Sequence, residues 1–144
     1  MDTALLKDIL LAVHLIGLML GAGGGFGSMV TVRYGATLPA EQLGVIKGLT
    51  PILARVALTG LVLMLATGIA MIVLVYGGGG GLGPTFMAKM VFVTTLALAA
   101  LATEITYGQI KRGNLKAAAR LPVLGPIAGI SSLLAVILAV LTFH

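Results

Sequence analysis

The sequence predicts an all-α fold, an antiparallel four-helix transmembrane bundle, and three observations carry that prediction. Roughly residues 8–32, 52–76, 85–107 and 121–143 are mostly apolar, each about 20 or more residues long, the length a helix needs to cross the hydrocarbon core of a bilayer. Hydrophobic residues make up 59% of the 144 and charged residues 9%, with a mean hydropathy of +1.16. That leaves too little polar surface to coat a water-soluble globule. The connecting segments are short and none could bury a core of its own, so residues 1–144 are read as a single four-helix transmembrane domain.

The first span begins within the opening ten residues. It outruns the apolar region of a secretory signal and has no clear cleavage site before Arg33, so it is expected to be retained. Its glycine-rich middle, Gly21 to Gly27, has a packing use within a span. His14, Gly17, Gly21, Gly24 or Gly25, and Ser28 recur at three- to four-residue spacing, so one face carries the histidine and a groove of small residues. Gly17, Gly21 and Gly25 are the expected helix-packing positions, because small residues let helices approach closely where hydrophobicity gives them no reason to associate. Between spans two and three, Gly77 to Gly81 followed by Leu82-Gly83-Pro84 reads as a mobile hairpin. It lacks the Lys-Ser/Thr continuation of a phosphate loop. In span four Pro122 and Pro126 are expected to start the helix and bend its first turns, and Gly125 and Gly129 offer a shorter small-residue face.

The formal charge of +5 follows membrane topology, and the basic connections are expected to be topology determinants rather than a lipid-headgroup or nucleic-acid site. Arg33 and Lys47 lie in the connection expected at residues 33–50, with Arg55 just inside span two, and Lys111, Arg112, Lys116 and Arg120 occupy the connection at residues 108–120. Both connections are expected on the cytoplasmic side, which places the N- and C-termini outside, as in a multi-pass protein of the bacterial inner membrane. The chain has no cysteine, which removes disulfides, thiolate metal sites and cysteine nucleophiles.

Ionisable groups inside the hydrocarbon are expensive, so the few present are the functional candidates. Arg55 and Glu104 are expected at similar depth as a structural ion pair, with a proton relay as the other reading. Lys89 either snorkels to the interface or serves a site. His144 is expected as a solvated end. His14 is either hydrogen-bonded to a neighbouring helix or a ligand, since neutral imidazole suits haem iron and copper. Met71, Met87 and Met90 are bundle filler or soft donors beside His14 for Cu(I).

Several of these features together resemble the four-helix membrane proteins of the CopD/HemJ type, which include copper-resistance membrane domains and a protoporphyrinogen oxidase. The resemblance rests on Val13-His14-Leu15, on Arg55 with the Thr59-Gly60 and Thr67-Gly68 steps, on Ala88-Lys89-Met90, and on the basic stretch leading to Leu121-Pro122. It implies a haem b site with His14 as ligand and Lys89 nearby as its electrostatic neighbour. The chain departs from the pattern in two ways: no histidine follows Lys89 in span three, and there is no tryptophan. The function expected is that of a membrane protein holding haem b or a related redox cofactor near the outer face. The alternatives are an accessory subunit packed in a homo-oligomer or larger membrane complex, and a copper-handling protein.

Overall fold

The computed structural model describes residues 2–78 and 83–143, the last two by their backbone alone. The fold is all-α, and among the described residues there is no strand. Four long helices carry it: α1 (Thr3–Gly35), α2 (Leu43–Leu74), α3 (Pro84–Lys111) and α4 (Leu121–Phe143). All four regions are long and apolar enough to cross a membrane, yet only 11–17% of each most apolar window is buried inside the chain. Large side chains such as Met19, Val45, Val91 and Leu98 stand more than half exposed. Among the described residues the buried hydrophobic ones are few: Leu61, Phe86, Ala99, Ala117 and Ala135. Helices apolar all round with so small a core need a lipid solvent. The protein is therefore a multi-pass α-helical membrane protein.

The chain divides into two compact units, Met1–Gly81 and Leu82–His144. In the first, α1 and α2 form an antiparallel hairpin. Asp2 caps α1, its carboxylate accepting from the Ala4 N–H at 3.4 Å. The helix then runs unbroken through its glycines to Gly35. The connection is shorter than the sequence suggested, because α2 begins at Leu43 and places Lys47 within the helix. The hydrophobic span marks where lipid begins, and a helix can extend beyond it into the interface. Pro51 lies inside α2 and removes the N–H that would reach the carbonyl four residues back. One residue earlier, the Thr50 hydroxyl donates to the Ile46 carbonyl at 2.9 Å.

α1 and α2 meet along two lines of residues at alternating spacings of three and four. On α1 the line is His14, Gly17, Gly21, Gly24, Ser28, Thr31 and Gly35; on α2 it is Ile46, Thr50, Leu53, Ala57, Gly60, Met64, Thr67 and Met71. Every one is buried or half-buried. The contacts run in antiparallel register, His14 against Thr67, Gly17 against Gly60 and Met64, Gly24 against Ala57, and Gly35 against Ile46. A period of 3.5 belongs to left-handed, shallow crossings of about 20°, and here it keeps the helices in contact from His14 to Gly35.

In the second unit Gly83 caps α3, with Pro84 at its first position, where a missing N–H removes no intrahelical bond. α3 ends in a Schellman turn: the Asn114 N–H reaches the Gln109 carbonyl at 3.0 Å and the Gly113 N–H reaches the Ile110 carbonyl at 3.0 Å. Gly113 has φ +94, a left-handed conformation that favours glycine. The chain then makes a short 3₁₀ helix, η1 (Leu115–Arg120), anchored by buried Ala117. The α3 line Phe92, Leu96, Ala99, Thr103, Thr106, Ile110 and the α4 line Leu121, Leu124, Ala128, Ser131, Ala135, Leu138 repeat the three-four alternation, and all are buried or half-buried. As expected, Pro122 and Pro126 fall in the opening turns of α4.

Threonine hydroxyls are satisfied by their own helices, as hydrocarbon requires. Thr31, Thr59, Thr94, Thr95, Thr103 and Thr106 each donate to the carbonyl four residues earlier, at 2.7–3.0 Å.

Candidate functional site at His14

The site is built from the seam of the first hairpin outward. At its centre the helices touch backbone to backbone. A Cβ added at Gly24 would lie 2.6 Å from the Ala57 nitrogen and 2.7 Å from the Leu53 carbonyl oxygen, and one at Gly17 would lie 2.9 Å from the Gly60 carbonyl oxygen. One at Gly60 would collide with the Gly21 nitrogen and sit 2.5 Å from the Gly17 carbonyl oxygen. Gly60 was not expected as a packing residue, yet it is the tightest position of the contact. The expectation for Gly25 is corrected. Gly25 has nothing within 4 Å and is exposed, because four residues beyond Gly21 follows the GxxxG register, whereas this seam advances by three to Gly24. Gly17 and Gly21 lie on the contact.

One turn beyond Gly17 the seam becomes polar. His14 Nδ1 lies 2.9 Å from Thr67 Oγ1, and Cε1 would lie 3.5 Å from a Cβ at Gly68. The imidazole thus rests across the helix interface, over a residue with no side chain. Thr67 has one hydroxyl proton, and it donates to the Leu63 carbonyl at 2.7 Å. With that proton committed, the contact to His14 takes the Nδ1–H as donor and Thr67 Oγ1 as acceptor. In the neutral imidazole this arrangement corresponds to the Nδ1–H tautomer. Thr67 is 7% exposed, so the hydrogen bond is shielded from water on the α2 side. Thr67 entered the sequence reading only as half of a Thr-Gly step. Its pairing with His14 depends on the register of two helices, although Gly60 and Gly68, eight residues apart, already place two small residues on neighbouring parts of one α2 face.

Met64 and Met71 flank Thr67 along the α2 seam, and both are half-buried. Arg55 is exposed on α2, where its carbonyl accepts from Thr59. In the second unit Lys89 and Met90 are half-buried in the second turn of α3, Met87 is exposed, and Glu104 is half-buried further along the same helix. His144, and Gly79 to Leu82 of the glycine-rich connection, lie outside the described residues. Gly77 and Gly78 take the left-handed φ values of +59 and +88 expected of a glycine turn. Gly125 and Gly129 have nothing within 4 Å. Among the described residues no three His, Cys, Asp or Glu side chains group as a metal site.

Fold and site together define a class: a multi-pass helical membrane protein with an interhelical histidine hydrogen-bonded to a threonine of the facing helix. No family model, curated protein or solved structure matches this chain.

Proposed function

We propose that this chain is a membrane cofactor protein that holds haem b through His14 Nε2. The observation that carries the reading is the His14–Thr67 hydrogen bond. A histidine that ligates a metal through one ring nitrogen is characteristically fixed by a hydrogen bond at the other, which sets the tautomer and raises the basicity of the donor. Thr67 supplies that bond, and Gly68 supplies the space for the ring. The donor set suits an iron held by one protein ligand. A cluster of carboxylates or thiolates, as a divalent structural metal would need, is not part of it. When bound, haem would supply one-electron redox chemistry, while His14 orients it and Thr67 holds the imidazole. Lys89 enters through the resemblance to the CopD/HemJ group, as a cation for a propionate. The orientation that goes with this reading puts both chain ends outside the cytoplasm, consistent with the basic connections.

The test is an absorption spectrum of the full chain purified from haem-replete cells, beside His14→Ala and Thr67→Val. A Soret band is expected in the parent, its loss in His14→Ala, and in Thr67→Val a retained band with a shifted midpoint potential. A parent without haem, or an unchanged band in a His14→Ala protein of parental helix content, refutes the reading. Copper in place of haem would support the copper-handling alternative, with Met64 and Met71 as neighbouring thioethers. The open Gly125–Gly129 face of α4 favours a second reading, an accessory subunit packed against another membrane protein. A colourless protein that copurifies stoichiometrically with a defined partner would support it.

A further inference from the structure

The turn between α3 and α4 gathers charge of one sign. Lys111, Arg112, Lys116 and Arg120 are all exposed, and no Asp or Glu occurs from Ile105 to the last residue of the chain. The Schellman turn at Gly113 folds the chain back, and buried Ala117 holds η1 against the unit, so all four cations belong to one end of the hairpin. The α3 carbonyls there, which would otherwise repel an anion, are engaged by the N–H groups of Arg112, Gly113 and Asn114.

Beside this end lies an open depression of about 260 Å³, lined by Ile105, Gly108, Gln109 and Arg112. These residues recur at three- to four-residue spacing along the outer face of α3. The depression exists because position 108 has no side chain, and a Cβ built there would meet nothing within 4 Å. Its wall is therefore apolar along Ile105 and Gly108 and ends in the amide of Gln109 and the guanidinium of Arg112. Leu115, 73% exposed, adds an apolar side chain among the cations.

We propose that this groove and its basic end form a binding site for an anionic phospholipid. An acyl chain lies along Ile105 and Gly108, and the phosphate is met by Arg112 with Lys116 and Arg120 around it. An apolar groove running into a cationic end complements a molecule that is apolar along its length and anionic at its head. Arg suits the phosphate by its planar, multiply donating guanidinium.

The experiment is native mass spectrometry of the delipidated full chain titrated with phosphatidylglycerol, with phosphatidylcholine of the same acyl chains, and with glycerol 3-phosphate. Phosphatidylglycerol is expected to bind most tightly, and Arg112→Gln to weaken it about fivefold, the effect of one cation near an anionic headgroup. Gly108→Leu fills the groove without altering charge and is expected to weaken both phospholipids. Its helix content, read by circular dichroism, should match the parent, since leucine is a better helix former than glycine. Equal binding of the two phospholipids would overturn the proposal. So would unchanged phosphatidylglycerol binding in Gly108→Leu, which would reduce the effect to diffuse attraction, or competition by glycerol 3-phosphate at the same concentration, which would make this a free-phosphate site.

Discussion

Gly60→Ala tests the α1–α2 seam most directly. The added methyl would collide with the Gly21 nitrogen and lie 2.7 Å from the Gly21 Cα and 2.5 Å from the Gly17 carbonyl oxygen. All of these are backbone atoms that cannot rotate away. Ordinary contact would require the helices to part by roughly 1 Å, enough for the pairs lining the gap to lose up to about half of their dispersion energy. Overpacking of this kind costs about 1–3 kcal/mol, while replacing a helical glycine by alanine returns up to about 1 kcal/mol. A net loss of about 1–2 kcal/mol is expected. Gly24→Ala should behave similarly, because its neighbours at 2.6 and 2.7 Å are also backbone. Gly21→Ala is the discriminating control. Its nearest atoms are at 3.8 Å, an ordinary contact, so the helix preference of alanine should leave stability unchanged or raise it. Gly25→Ala, in open space, should do the same. The assay is equilibrium unfolding of the protein in mixed micelles on titration with a denaturing detergent, followed by circular dichroism. If Gly21→Ala is as damaging as Gly60→Ala, or Gly60→Ala lies within about 0.5 kcal/mol of the parent, the contact is not the one described.

Gly113→Ala should destabilise the α3–α4 hairpin by about 1–2 kcal/mol, the penalty for an L-residue in a left-handed conformation. Because a Cβ there would meet nothing within 4 Å, this variant isolates backbone conformation from packing, and a neutral result in the same unfolding assay would contradict the φ of +94. For topology, single cysteines at Glu41 and Gly83 should be labelled by an impermeant thiol reagent from opposite sides of the membrane, with Gly83 outside. Labelling of both from one side would refute the spans, and Gly83 labelled from the cytoplasm would reverse the orientation.

The amino-acid sequence by itself determined the solvent and, with it, the secondary structure. Runs of apolar residues this long leave lipid as the only medium, and lipid leaves the helix as the backbone's way to satisfy its own hydrogen bonds. The ends of the helices were less legible. α2 extends nine residues ahead of its hydrophobic span because a helix persists into the interface for as long as its own hydrogen bonds hold. Histidine at position 14 and the small residues after it were visible as one face of α1, yet whether that face advances to Gly24 or Gly25 could not be read from α1 alone. The two differ by one step around the helix, and the choice depends on the crossing angle with α2. The tertiary structure decided it through a contact whose positions repeat every 3.5 residues on average. The same register selected Gly60 as the tightest contact and brought Thr67 to His14, giving the imidazole a hydrogen-bond partner. Such pairings belong to two helices at once, and no pattern along one helix specifies which residue of another will stand opposite it.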